Sequence, residues 1–296
     1  MNIKTNIKKN HLLILLSIFL LFIIIAGYNF YAGNFNRYSR IDPKTMLVHF
    51  IDVGQGDSIL VQINNKNLLI DSGPKSDEKK FIGYLSSLNL DKLDYVIATH
   101  PHEDHIGNMV DVIKDYNILK FYAPKVQSTT KTFEEMIDAL KDKDLKINVI
   151  KRGTNSIDLG PNTQVTVFSP MRDSYEDLNN YSPVIKIQYS NTSFLFTGDA
   201  QKDVEKEILD NNYDISADVL KIGHHGSSTS TSSDFLSKVN PSIAVISVGK
   251  DNIYNHPNKD TLKLLSIHNI ETYRTDTNGN VVVSSDGSKI TVVKQK

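Results

Sequence analysis

The sequence predicts an α/β (α+β) protein: two β-sheets with helices outside them, behind one membrane-spanning helix. Three observations predict it. Short strand-like apolar runs open the body, similar runs then alternate with segments of helical spacing, and one uninterrupted apolar stretch stands near the N-terminus. At 296 residues, 40% hydrophobic and 23% charged, the chain can bury one large core. The expected division is an anchor over residues 1–33, a linker over 34–44 and a globular body over 45–296.

The anchor comes first. Leu12 to Ala26 is apolar apart from Ser17 and runs on to the interfacial Tyr28, Phe30 and Tyr31. About 20 such residues span the roughly 30 Å hydrocarbon layer. Lys4, Lys8 and Lys9 precede the stretch, and positive flanks stay in the cytoplasm, which places the body outside the cell membrane as a single-pass protein. A cleaved signal peptide, and hence a secreted protein, is the alternative; no small-x-small pattern follows the apolar core.

Met46 to Asp52, Asp57 to Ile63 and Asn67 to Asp71 read as strands joined by Gly54-Gln55-Gly56 and Asn64-Asn65-Lys66 turns. Asp77 to Leu88, Ile106 to Tyr116 and Thr132 to Leu140 carry helical spacing, and Tyr95 to Ala98 is a buried strand. Strands follow near Val165 to Phe168, Val184 to Tyr189, Phe194 to Phe196, Val219 to Ile222 and Ile243 to Ser247, with helices over Lys202 to Leu209 and Lys259 to Ile267. A hairpin, Val281 to Ser284 with Lys289 to Val293, turns at Asp286-Gly287.

Charge and cysteine content narrow the chemistry. The net charge of −1 provides no global basic field, so any nucleic-acid contact needs a local patch. With no cysteine there is no disulfide, thiolate ligand, thiol nucleophile or lipidated cysteine. A bound metal must therefore be held by His, Asp, Asn or water. His100, His102, Asp104 and His105 sit within six positions directly after a buried strand, which points to a dinuclear site for divalent zinc, manganese or iron. Of the nine histidines, three lie in this motif and three more, His224, His225 and His256, follow strand-like segments; His11, His49 and His268 read as structural.

These strings resemble the metallo-β-lactamase superfamily. Within it they are similar to the C-terminal hydrolase domain of the competence channel ComEC and its stand-alone relatives. The resemblance rests on Phe50 to Ser58, Leu69 to Gly73, His100 to His105, Phe196 to Ala200, Leu220 to Ser228 and Tyr273 to Asp276, and runs from about residue 46 to the end. It implies an αββα sandwich and a metal-dependent hydrolase. With one apolar span in this sequence, DNA transport is not carried over.

Within that frame, His100 and His102 can bind one metal and Asp104 and His105 a second. Asp199 follows Thr197-Gly198, where a carboxylate can bridge two ions; a turn aspartate is the ordinary alternative. Two such ions lower the pKa of a bound water from about 15.7 towards neutrality, giving a metal-activated hydroxide as nucleophile. His224 is the expected further ligand. His225 is left to contact substrate or orient the loop, because neighbours in extended chain point oppositely. Asp104, His225 and His256 form the expected catalytic set, His256 as general acid or phosphate binder ahead of Pro257. The resemblance leads one to expect a glycine before that histidine, where this chain has Asn255.

No histidine stands between His105 and Asp199, where many superfamily members place one. Asn179, Asn180 and Ser182 occupy the interval and could complete a metal or hold substrate, or form an Asn-rich turn. Ser227 and Ser228 open a run to Ser233 that either caps a helix and faces solvent or holds phosphate oxygens. Asp52, Gln55 and Asp57 could reach the cleft, and Asp71 is expected to hydrogen-bond the ligand loop.

The reading as a whole is a membrane-anchored extracytoplasmic phosphodiesterase or nuclease using two divalent ions, zinc or manganese. Its substrate would be single-stranded DNA or an envelope polymer such as a phosphocholine-bearing teichoic acid, and the sequence names no protein partner. A lactam, lactone or thioester hydrolase is the alternative within the enzymes. A non-catalytic, metal-stabilised surface binding module is the alternative outside them.

Overall fold

The computed structural model describes residues 42–295. The expected anchor and most of the expected linker lie outside the described residues. Among those described, no helix is long and apolar enough to cross a membrane.

Two mixed sheets form the body. The first contains β1 (Met46–Phe50), β2 (Ile59–Ile63), β3 (Lys66–Ile70), β4 (Leu93–Ile97), β5 (Ile118–Ala123), β6 (Ile147–Val149), β13 (Val281–Ser285) and β14 (Ile290–Lys294), in the order β14-β13-β1-β2-β3-β4-β5-β6. The second contains β7 (Thr163–Val167), β8 (Ile185–Tyr189), β9 (Thr192–Phe196), β10 (Val219–Lys221), β11 (Ile243–Ile246) and β12 (Glu271–Arg274), in the order β12-β11-β10-β9-β8-β7. The β2–β3 hairpin closes through Asn64 and Asn65, both left-handed at φ 54° and 58°, with Ile63 opposite Lys66. That two-residue geometry matches the strand twist, and asparagine tolerates it better than most side chains.

Alternation along the strands sets the layers. Met46, Val48, Phe50, Val61, Ile70 and Ile97 of the first sheet meet Ile187, Phe194, Phe196 and Val245 of the second in a single apolar core. On the far face of the second sheet, Leu195, Leu220, Ala244 and Ile246 pack against Val204 and Ile208 of α5 (Lys202–Asp210), Phe235 and Leu236 of α6 (Ser233–Val239) and Leu265 of α7 (Lys259–Ile267). The helices α1 (Glu78–Ser87), α3 (Met109–Asp115) and α4 (Lys131–Asp142) bury Phe81, Leu85, Val112, Ile113, Met136 and Leu140. Among the described residues, the strands and helices expected of the body are present, with ends displaced by a few residues. The sequence reading does not anticipate β5, β6, β12, α6 or the four-residue α2 (Glu103–Ile106) and α8 (Thr275–Asn278).

Candidate metal centre

The carboxyl ends of β4 in one sheet and of β9, β10 and β11 in the other meet over one open cleft of about 880 Å³, the strand-end position that α/β sheets favour for ligands. Its lining includes His102, Asp104, Asn179, Asp199, His224, His225 and His256.

The chain reaches the cleft by tight backbone work. After β4, His102 is still extended (φ −77°, ψ 146°) and α2 then turns Asp104 and His105 inward. Gly56 lets the preceding hairpin loop press against this turn, since a Cβ there would sit 2.2 Å from the carbonyl oxygen of Asp104. After β9, Gly198 (φ +49°) swings Asp199 into the site beside Ser182, whose Oγ accepts from the Asp199 backbone N–H at 3.1 Å.

Three buried imidazoles have their Nδ1 atoms tied to the protein. His105 Nδ1 donates to Asp71 Oδ2 (2.8 Å), and His225 Nδ1 donates to the carbonyl of Ser247 (3.0 Å). Thr99 spends its hydroxyl proton on Asp71 (2.7 Å), so its oxygen accepts from His100 Nδ1 at 3.0 Å. The Nε2 atoms of all three are buried and make no hydrogen bond. They lie 3.8 Å (His100), 3.3 Å (His105) and 3.5 Å (His225) from Asp199 Oδ2. Buried nitrogens are normally satisfied, and an Nε2 fixed in this way toward a carboxylate is the usual preparation for a metal. One ligand atom from each of Asp104, His105, Asp199 and His225 lies within 4.8 Å of every other.

The charges around the site point the same way. Burial would lift the Asp199 carboxyl, yet His225 and His105 hold it well below the usual carboxylate range. Burial would depress His105 and His225, yet Asp199 and the other carboxylates around them hold both well above the usual histidine value. In effect the clustered carboxylates recruit protons where a divalent ion would serve better.

Position by position, His100, His102, Asp104, His105, Asp199 and His224 are brought together as the sequence anticipates. His102 packs on His100 with ring centroids 4.7 Å apart, and His224 Nε2 is 3.6 Å from Asp199 Oδ2. The division of labour between the adjacent histidines differs from the expectation. His225, not His224, joins Asp104, His105 and Asp199 in the tight group, yet both rings face Asp199. The backbone explains it: His224 (φ 48°) and His225 (φ 53°) are left-handed, not extended, so the opposite-sides rule for strands does not hold.

Four expected substrate contacts are placed elsewhere. Asn180 accepts from the Gln201 backbone N–H, and Ser182 is buried between His100 and Asp199. Ser227 Oγ pairs with Thr229, and neither Ser227 nor Ser228 lines the cleft. The serine run is a helix start: Ser232 Oγ accepts from Phe235 N at the head of α6. Asn179 does line the cleft, with a buried, unpartnered Oδ1. His256 lies at the cleft rim beside His224, ring centroids 5.5 Å apart; burial and the neighbouring histidines hold it down to about 4, so it is neutral at pH 7. That suits contact with substrate better than proton donation. Asp52 and Gln55 line the cleft, and Gln55 Oε1 accepts from Gly249 N.

Asp57 lies behind the site and meets Lys221. Alternation along β10 turns Lys221 inward with Val219, and its fully buried Nζ sits 2.9 Å from Asp57 Oδ2. The other Asp57 oxygen is 3.3 Å from His225 Nδ1, and burial notwithstanding, Lys221 and His225 hold Asp57 down to about 2. Lys221 was legible in principle as the one charge in Val219-Leu220-Lys221-Ile222. Lys250 and Tyr254, also in the lining, carry no such signal.

Residues 51–250 match the family model described as metallo-beta-lactamase superfamily. The chain is 34% identical over 252 residues to ComE operon protein 3 of Bacillus subtilis, covering 79% of this chain and 32% of that protein. It is 28% identical to Recombination protein 2 of Haemophilus influenzae (83% and 30% covered) and 27% identical to Competence protein ComA of Neisseria gonorrhoeae (87% and 34%). It thus spans about a third of the length of these relatives. Among solved structures, the metallo-beta-lactamase fold protein YhfI of Bacillus subtilis superposes with a TM-score of 0.52 at 12% identity, covering 84% of this chain and 100% of that one.

Proposed function

We propose a phosphodiesterase from one premise: the chain belongs to the metallo-β-lactamase superfamily, whose fold holds divalent metals and serves metal-dependent hydrolysis. The observation that carries the proposal is the convergence of the His100, His105 and His225 Nε2 atoms on Asp199 at the floor of an open, polar cleft. Asp104, His105, Asp199 and His225 would hold one ion, and His100, His102 and His224 stand close enough to serve a second. Two ions, zinc or manganese, would supply a water of lowered pKa and neutralise charge on a phosphoryl group.

The chain's own residues do the rest. Asp71, Thr99 and Ser247 hold the Nδ1 sides of the ligand histidines, so each Nε2 points inward before anything binds, and a metal would take the place of the protons that the carboxylates draw in. The neutral His256 at the rim and the Asn179 amide N–H₂ would contact phosphoryl oxygens, both residues lining the cleft. The absence of thiolate ligands, and relatives named for competence and recombination, favour nucleic acid over a lactam. We read residues 1–33 as an anchor that leaves this body outside the cell; protease added to intact cells would then digest it, and protection would reverse the orientation.

The test is turnover of a fluorescent single-stranded oligonucleotide, bis-p-nitrophenyl phosphate and nitrocefin by protein loaded with manganese or zinc. Metal-dependent cleavage of the phosphodiesters is expected. Turnover of nitrocefin alone would overturn the reading, and metal binding with no hydrolysis of any of the three would favour a binding module.

A further inference from the structure

The loop from Gly249 to Pro257 holds groups that the metal centre does not use. Ile253 is 85% exposed and Tyr254 60%, both large apolar side chains in consecutive positions. The loop that presents them is held firmly. Asn252 Nδ2 donates to the carbonyls of Gly249 and His256, its Oδ1 accepts from His256 N, and Gly249 N donates to Gln55. Asp251 and Asn255 take left-handed backbone at φ 53° and 56°, which these two residue types tolerate and which turns the loop tightly. The Tyr254 ring stacks on His256 (5.7 Å, 25°) and lines the cleft that contains Asp104 and Asp199. Lys250, exposed and without an ion pair among the described residues, lines it too.

We propose that Tyr254, with Lys250 on the neighbouring phosphate, is a stacking subsite for the nucleobase next to the scissile phosphate. The subsite rests on the phosphodiesterase reading and deepens it, because only an unpaired base offers a free face to such a ring. An exposed aromatic surface backed by a second ring, beside a cation, is the recurring arrangement for single-stranded nucleic acid. A quaternary ammonium headgroup is disfavoured by the same observations: it needs an aromatic cage, whereas here one open ring has Lys250 on its loop.

The full-length protein loaded with manganese tests this on two labelled strands, an oligothymidylate and the same backbone with abasic sites. The wild type is expected to favour the base-bearing strand by about 10-fold or more in kcat/KM. Tyr254→Ala should lose that preference, mainly through KM, with metal content unchanged, while Tyr254→Phe and Tyr254→Trp should keep it. Equal cleavage of both strands by the wild type, or an unaltered preference in Tyr254→Ala, would overturn the subsite and leave the phosphodiesterase reading standing. Cleavage of neither strand would overturn both.

Discussion

His105 and His49 belong to the same half of the molecule, are both fully buried, and have been pushed in opposite directions. His49, on β1, points away from the inter-sheet core, where its Nδ1 meets the Tyr84 hydroxyl at 2.8 Å. Desolvation lowers it to about 4, so it folds as a neutral ring. His105 suffers the same desolvation, but Asp199, Asp104 and Asp71 surround it and hold it well above the ordinary value. Burial alone therefore does not make a metal centre. A converging set of carboxylates does, by creating a demand for positive charge that a single imidazolium meets poorly.

The sharpest way to break this contrast is to remove a carboxylate. Asp104→Ala should reduce turnover to background while far-UV circular dichroism stays that of the wild type; unchanged turnover would refute the ligand role. Next in size is Lys221→Met, which strands the buried Asp57 charge and should cost about 3–5 kcal/mol in urea unfolding. Adding Asp57→Leu should recover part of that loss, since the charge no longer needs a partner.

The third prediction concerns His49 itself. Its folded pKa lies below the unfolded value, so its contribution to stability is complete above about pH 6.5 and is lost as pH falls toward 4. A downward shift from 6.5 to about 4 corresponds to about 3 kcal/mol over that window. Urea unfolding of the wild type and of His49→Gln at pH 7 and 4.5 should show a flatter dependence in the variant. Parallel curves would mean that His49 takes up its proton without unfolding. The smallest effect is expected at Asp71→Asn, which keeps the shape but weakens the hold on His105 Nδ1; metal affinity by chelator competition should fall about 10–100-fold.

How far the sequence carries can be seen in particular residues. The ligand motif after β4 and the strands β1 to β4 were legible because apolar periodicity and clustered ligands are local signals. The strand β5, Ile118-Leu119-Lys120-Phe121-Tyr122-Ala123, has no clean alternation and takes its conformation from β4, with Tyr95 opposite Lys120. Helix α6 was half legible: the run from Ser227 to Ser233 read equally as a helix cap or a phosphate contact, and Ser232 is the cap. The exchange of roles between His224 and His225 came from left-handed backbone at two non-glycine residues, which no local propensity favours. Tyr254 was invisible because exposure is a property of the fold.

The pairing of β1 with β13 sets the order in which this chain can mature. Met46 lies opposite Ser285 and Phe50 opposite Val281, so a central strand of the first sheet waits for a partner more than 200 residues downstream. During synthesis the early hairpins can form, but β1 keeps one open edge until residues 281–285 have left the ribosome. Such distant pairing slows folding and exposes that edge to other nascent chains.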